Sequence, residues 1–290
     1  MQTQWLPTNK VYRAIVDTPD AETREHIFKD TFITPYERQF SMMGQSPMES
    51  ARAFGYLMPE DLTTLPDALL KLEASDAWTR GEEALRTGAA RWESYDIPLE
   101  TVTGSIVLLK RGNPDGFGYA GAIDFATYKQ FAITYDAPDE RNMSLLPGAV
   151  VHELHHLVRS KVCPGNMMTF NLAEYIAMEG LAESFASAVY GEDMVGLYVT
   201  YISNEDLEKA RMLIGAALDV TGFDKLRGYV FGGSSAHQYG FEAVDGMPKF
   251  GGYAVGYHAV QAYLKRTGKI IEEATFISGE EIMRESGYFG

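Results

Sequence analysis

The sequence predicts an α+β fold, mainly helical, with a small mixed or antiparallel sheet. The sheet precedes a helix carrying His152-Glu153-Leu154-His155-His156 and a second helix carrying Glu179 and Glu183. Three observations predict this. Apolar residues recur at helical spacing through most of the first hundred residues. A β-branched and aliphatic stretch, Thr101 to Lys110, breaks that pattern, and two further strand-like segments follow it. Helical segments with recognisable stops then resume.

In chain order, Ala21 to Thr31, Tyr36 to Phe54 and Leu65 to Glu93 read as helical, interrupted by Pro35, Pro59, Pro66 and Gly81. After the strand at 101–110, Arg111-Gly112-Asn113-Pro114-Asp115-Gly116-Phe117-Gly118 is a turn cluster. Ala120 to Phe125 and Gln130 to Tyr135 read as strands. Pro147 suits the first turn of a helix, where its missing N–H costs nothing, so a helix is expected from about Ala149 to Ser160, ended by Cys163-Pro164-Gly165. Another runs from Asn171 to Tyr190 and stops at Gly191. A third spans Asn204 to Val220, Gly232-Gly233-Ser234-Ser235 marks a loop, and a fourth spans Tyr253 to Arg266 before Gly268. The tail from Ile271 holds a short helix.

The chain has 290 residues, 46% hydrophobic and 22% charged, enough to bury one large core or two lobes. Its formal charge is −15, which repels phosphate backbones and anionic lipid and argues against nucleic-acid and membrane partners. No apolar run approaches the roughly eighteen residues of a spanning helix. The N-terminus lacks a basic stretch followed by an apolar core. Cys163 is the single cysteine, so no intrachain disulfide forms. A cytoplasmic protein is the simplest expectation, with a secreted mature form as the alternative. The oligomeric state is not legible.

His152 and His156 stand at i and i+4, which puts both imidazoles on one helical face within reach of one metal ion. Glu153 then takes a proton from metal-bound water rather than ligating. The rest of that helix is apolar (Ala149, Val150, Val151, Leu154, Leu157, Val158), and burying it without partners for its histidines is costly. His155 reads as an ordinary helix residue. A catalytic Zn²⁺ takes three protein ligands and an open position. Leu157 to Cys163 lacks the further histidine of the metzincin continuation, so the third ligand is sought downstream. Glu179 lies 23 residues beyond His156, and an antiparallel pair of helices would return it to the histidines. Gly180 beside it suggests close approach of another backbone, which a shared metal would require of the motif helix. Glu183, one turn on, is the alternative ligand or a hydrogen-bond partner of a ligand histidine. Cys163, just past the helix and next to Pro164, reads as a buried structural thiol. For the oxyanion, Tyr253 and Tyr257 are the candidates, with His258 and His237 behind them.

These residues resemble the gluzincins, metallopeptidases with a His-Glu-x-x-His helix and a downstream glutamate ligand. Glu179-Gly180-Leu181-Ala182 is similar to the Asn-Glu-Gly-Phe-Ala stretch of zinc aminopeptidases, whose glutamate binds zinc. Met178 stands where that pattern has Asn, the spacing is longer, and no Gly-Ala-Met-Glu-Asn motif is present, so exopeptidase specificity does not carry over. Val151 to His156, Glu179 to Glu183 and Gly252 to Tyr257 resemble more closely a bacterial domain-of-unknown-function family of predicted zinc-dependent proteases, over about residues 100 to 270. That resemblance implies a zincin-like metallopeptidase domain over 96–290 after a helical N-terminal region, 1–95, with one continuous unit as the alternative. In the wider group an edge strand of the sheet pairs with extended substrate, and Ile123 to Tyr135 would supply it here.

The function expected is zinc-dependent hydrolysis of a peptide bond. One Zn²⁺ would be held by His152, His156 and Glu179, with Glu153 as general base and Tyr253 or Tyr257 on the oxyanion. The N-terminal helices would wall the cleft. The alternatives are hydrolysis of a small non-peptide amide or other metabolite, and a non-catalytic zinc-binding regulatory protein.

Overall fold

A computed structural model of the chain describes every residue except Arg111, Asn113, Pro114, Pro164, Asn166 and Met167, together with all side chains but that of Ser234. The turn cluster expected at 111–118 and the helix end expected at 163–165 fall partly outside the described residues. The fold is α+β: helices predominate around one four-stranded mixed sheet. The chain forms two compact units, Met1–Ala90 with Leu99–Leu154, and Arg91–Pro98 with His155–Gly290.

The first unit holds the sheet. Strand β1 (Gln2–Trp5) is followed by helices α1 (Thr8–Asp17), α2 (Ala21–Phe28), α3 (Asp67–Ala74) and α4 (Ala77–Ala90), then by β2 (Thr101–Leu108), β3 (Tyr119–Ile123) and β4 (Gln130–Tyr135). The order across the sheet is β1-β2-β4-β3. β1 pairs parallel with β2, β2 parallel with β4, and β3 antiparallel with β4. β4 lies inside the sheet, between β2 and β3, and is buried along its whole length. The edge strands are therefore β1 and β3, and of the stretch Ile123 to Tyr135 only Ile123 lies on an edge strand, β3.

Three local expectations change. β1 was read as part of a helical region; it has no local partner and forms by pairing with Thr101–Gly104. The run Leu65 to Glu93 breaks at Asp76, whose φ of +53° ends α3, and not at Gly81. α4 runs through Gly81 because the missing side chain makes room for the indole of Trp5. The run Tyr36 to Phe54 divides into Glu37–Ser41 and Pro47–Ala53, the second opened by a Ser46/Glu49 capping box.

Helix α5 (Leu146–Val162) carries the histidine motif, and the border between the units falls within it, after Leu154. Val150, Val151, Leu154, Leu157 and Val158 are fully buried. In the first unit the helix seats on Gly88 of α4, where a Cβ would come within 2.7 Å of Val151 and 2.9 Å of Leu154. A side chain larger than hydrogen at residue 88 would push the motif helix away.

The second unit is built on α6 (Leu172–Tyr190), which is buried on nearly all sides and apolar around most of its circumference. Asn171 caps it by accepting from Glu174 N at 3.0 Å. It is followed by α7 (Asn204–Gly215), α8 (Phe223–Phe231) and α9 (Gly251–Thr267). α7 is shorter than expected, and α8 was not expected. Gly232 turns with φ +61°, but Gly233–Gln238 then forms a short helix where a loop was expected. α9 packs along α6, and the contact is backbone on backbone: a Cβ on Gly180 would overlap Gly256 O, and one on Gly256 would overlap Ile176 O. Gly180 thus does mark a close approach, but the helix that approaches is α9 and not the motif helix. Arg91 pairs with the buried Glu272 at 2.5 Å. Arg159, also buried, donates to the carbonyls of Thr275 and Ile277. Among the described residues, no helix is long and apolar enough to cross a membrane.

Candidate metal centre

The i, i+4 spacing on α5 brings His152 and His156 to one face, and α6 brings Glu179 to them. One ligand atom from each of His152, His156 and Glu179 lies within 4.8 Å of the others. His156 Nε2 stands 3.4 Å from Glu179 Oε2. Two ligands of a tetrahedral zinc with bonds of about 2.0–2.1 Å stand about 3.3 Å apart, so this edge already has the span a zinc ion needs. His156 and Glu179 are buried, and His152 is nearly so. Buried carboxylate is costly unless a cation or hydrogen bonds compensate it, and two imidazole nitrogens aimed at the same point suit a divalent cation. The donor set of two imidazoles and one carboxylate therefore fits Zn²⁺.

Glu153 stands beside this set and outside it. Its Oε1 is 3.9 Å from His152 Nε2. Its carboxylate packs against the edge strand β3: a Cβ on Gly121 would overlap Glu153 Oε1. Glycine at 121 is what lets the acid occupy this place. The neighbouring Ala122 is exposed along the same edge.

Glu179 and Glu183 on α6 have different surroundings. Glu183 is buried and accepts the Gly196 N–H at 2.9 Å, at the start of the short helix Leu197–Thr200. It is not part of the three-residue donor group. His155 packs between Trp92 and Phe185, with ring centroids at 6.1 and 5.5 Å. Its Nε2 is 3.0 Å from Thr275 Oγ1, whose own hydrogen goes to Ile271 O at 2.8 Å. The hydroxyl must then accept, which puts the proton on His155 Nε2. His155, read from the sequence as an ordinary helix residue, is thus a core residue. Cys163 is free and only half-buried at the end of α5, more open than the buried thiol expected.

The tyrosines also separate. The crossing at Gly180 and Gly256 lays the first turns of α9 along the part of α6 that carries Tyr175 and Glu179. Tyr253 sits among Tyr198, Phe231 and Phe250, with centroids at 5.0, 5.7 and 6.4 Å. Burial, and then the negative charge of Glu179, hold its phenol well above the ordinary tyrosine range. Tyr257, one turn on, packs with Val195, Val199 and Ala254. Burial raises it too, a hydrogen bond with Ser187 works against that rise, and the acids near it are Glu192 and Glu183. Of the two candidates, Tyr253 is the one beside a member of the donor set. His258 stacks on Tyr288, and burial lowers its pKa. His237 is exposed in an open groove with Asp206 and Asp245.

One charged residue near this site was missed from sequence. Arg227 on α8 donates from Nη1 to Tyr175 Oη at 3.2 Å, and Tyr175 is one turn before Glu179. The spacing Phe223, Arg227, Phe231 on one helical face was the available signal.

Comparison with known proteins agrees with the geometry. A family model described as "Predicted Zn-dependent protease (DUF2268)" matches residues 77–284. The chain is 29% identical over 286 residues to a Bacillus subtilis (strain 168) protein described as "Uncharacterized protein YjfC", covering 93% of each chain. No solved structure matches.

Proposed function

The chain belongs to this family of predicted zinc-dependent proteases, and on that premise we propose that it is a zinc metallopeptidase of the gluzincin type, with His152, His156 and Glu179 as the ligands of one ion. The observation that carries the proposal is the convergence of those three donors with a fourth group, Glu153, beside them and not among them. A structural zinc site is closed by four protein ligands, whereas a catalytic one keeps a position open. Zinc held here would supply Lewis acidity, acidifying water and polarising a carbonyl.

The protein's own groups supply the rest. Glu153 takes a proton from the attacking water and returns it to the leaving amine, so no net proton is consumed in the transfer. Gly121 fixes the carboxylate against β3 during both steps. Tyr253, kept protonated by its buried setting, donates its O–H to the oxyanion. Among the described residues β3 pairs with a strand on one edge only, so an extended peptide can add to the other edge as a further strand and lie across Glu153.

The test is Glu153→Gln, read by elemental analysis and by cleavage of a peptide library. The expected variant keeps about one zinc per chain and loses peptide cleavage. Full activity in that variant would refute the mechanism. A zinc-loaded wild type that leaves every peptide intact and hydrolyses a small amide would replace the peptide substrate with a metabolite.

A further inference from the structure

Arg227 has an environment that none of the proposed chemistry uses. Its guanidinium lies over three rings, with its carbon 4.5 Å from the centroid of Phe241, 4.9 Å from Phe231 and 5.1 Å from Phe223. Phe223 and Phe231 come from the turns on either side of Arg227 in α8. Phe241 comes from the segment after the short helix Gly233–Gln238, and that segment is held down on α8 because Gly228 leaves room for Glu242 O. Aromatic faces attract the cation without neutralising it. The chain has 40 acidic side chains, and Arg13, Arg52, Arg91, Arg159 and Arg211 each pair with one. Among the described residues, no carboxylate lies within ion-pair range of Arg227. Among the described residues, the acceptor of its guanidinium is the neutral Tyr175 hydroxyl. Arg227 is half-buried, and its Nε has no hydrogen-bond partner, so the donor fork is not fully used within the described residues.

Its location gives this charge a use. Tyr175 and Glu179 are four residues apart on α6, about 6 Å along the axis. The hydroxyls of Tyr175 and Tyr253 both feel Arg227 and Glu179 together, which puts the arginine in the same local field as the metal donor. An extended peptide advances about 3.3 Å per residue, so the arginine stands within a few residues of a bond cut at the metal.

We propose that Arg227 is a specificity residue that binds a substrate carboxylate close to the scissile bond, through the free part of its guanidinium fork. This rests on the peptidase reading. The aromatic rings hold the fork in place and leave its charge unspent, so a planar carboxylate can take two of its N–H groups. The carboxylate is either a peptide's C-terminus or an aspartate or glutamate side chain. A preorganised, partly desolvated charge pair of this kind supports about a tenfold or larger preference over the neutral amide.

The experiment uses the zinc-loaded protein and matched peptides that differ only in Glu against Gln, or in a free against an amidated C-terminus. The ratio of kcat/KM within each pair is compared in wild type, Arg227→Lys and Arg227→Met. The expected wild type prefers the acid of a pair, the methionine variant brings that ratio to about 1, and lysine falls between. Which pair shows the preference identifies the source of the carboxylate. A purely structural role would lower both members of a pair equally, leave the ratio alone and overturn the proposal, as would a wild type with no preference. If the methionine variant fails to fold, Arg227→Gln is read in the same way. Binding of the same pairs to zinc-loaded Glu153→Gln, with and without Arg227→Met, separates this proposal from the peptidase reading. An acid preference in binding that disappears with Arg227, when the zinc-loaded wild type cuts none of the peptides, sustains the anchor and refutes the peptidase. No acid preference in binding or turnover refutes the anchor.

Discussion

Gly180 and Gly256 bring two helix backbones into direct contact, with the α-carbon of each set against main-chain atoms of the other helix. The contact fixes α9 on α6 and, with it, the position of Tyr253 relative to Glu179. Replacing Gly180 by alanine should gain about 1 kcal/mol of helix propensity and lose more than that to the overlap with Gly256 O, because a backbone carbonyl cannot rotate away. The expected outcome is net destabilisation of about 1–3 kcal/mol, seen as a lower denaturant midpoint with an unchanged slope. A Gly180→Ala protein as stable as wild type would mean that the two helices are not in backbone contact.

Glu179 and Glu183 should fail differently when each is changed to glutamine. Glu179→Gln is expected to lower zinc content while the fold persists. Glu183→Gln is expected to keep zinc and cost about 1–3 kcal/mol, through the weakened bond to Gly196 N–H inside the second unit. Elemental analysis and urea unfolding, run on both, distinguish them. Loss of zinc in the Glu183 variant alone would exchange the two roles.

Tyr253→Phe is expected to reduce kcat about a hundredfold to a thousandfold with KM little changed, as removal of an oxyanion donor does. Tyr257→Phe removes a hydroxyl bonded to Ser187 and should act on stability before it acts on turnover. Equal losses of kcat in both would show that neither hydroxyl meets the oxyanion.

Alkaline pH should unfold the first unit through its buried phenols. Tyr36 lies 3.2 Å from both Ser105 Oγ and Phe131 O, and burial pushes its pKa up to about 12 from an ordinary value near 10. The unfolded chain loses that proton first. The stability contributed by the neutral phenol is therefore complete below about pH 10 and falls above it, by about 1.4 kcal/mol per pH unit, until about pH 12. Burial raises Tyr12, Tyr56 and Tyr135 in the same direction. Phenolate absorbance should rise together with loss of the fold. Complete ionisation of the tyrosines on a chain that is still folded would contradict this.

The motif helix, α6 and β4 were legible because their signals are local: an apolar period, an Asn171 cap, a Gly191 stop, and a strand whose six residues are bounded by turns. The His152/His156 pair was legible for the same reason, since four residues of helix fix it without help from the rest of the chain. β1 was not, because the strand it pairs with lies about a hundred residues away. Which strand forms the sheet edge depends on the order β1-β2-β4-β3, and no strand carries that information in its own residues. Gly180 was correctly read as a point of close approach, but the approaching element, α9, begins some seventy residues later. The cage around Arg227 depends on Phe241, supplied from beyond the helix.

One turn of α6 separates an acid that faces a metal donor set from an acid that holds a backbone amide. The two are under different kinds of obligation. A lineage that gave up the chemistry could let residue 179 drift, while residue 183 would still be required to assemble the neighbouring turn. The second glutamate would then outlast the first. If Glu179 holds the metal as proposed, descendants with 183 intact and 179 lost would be folded proteins that had abandoned it, and residue 179 would separate working relatives from retired ones.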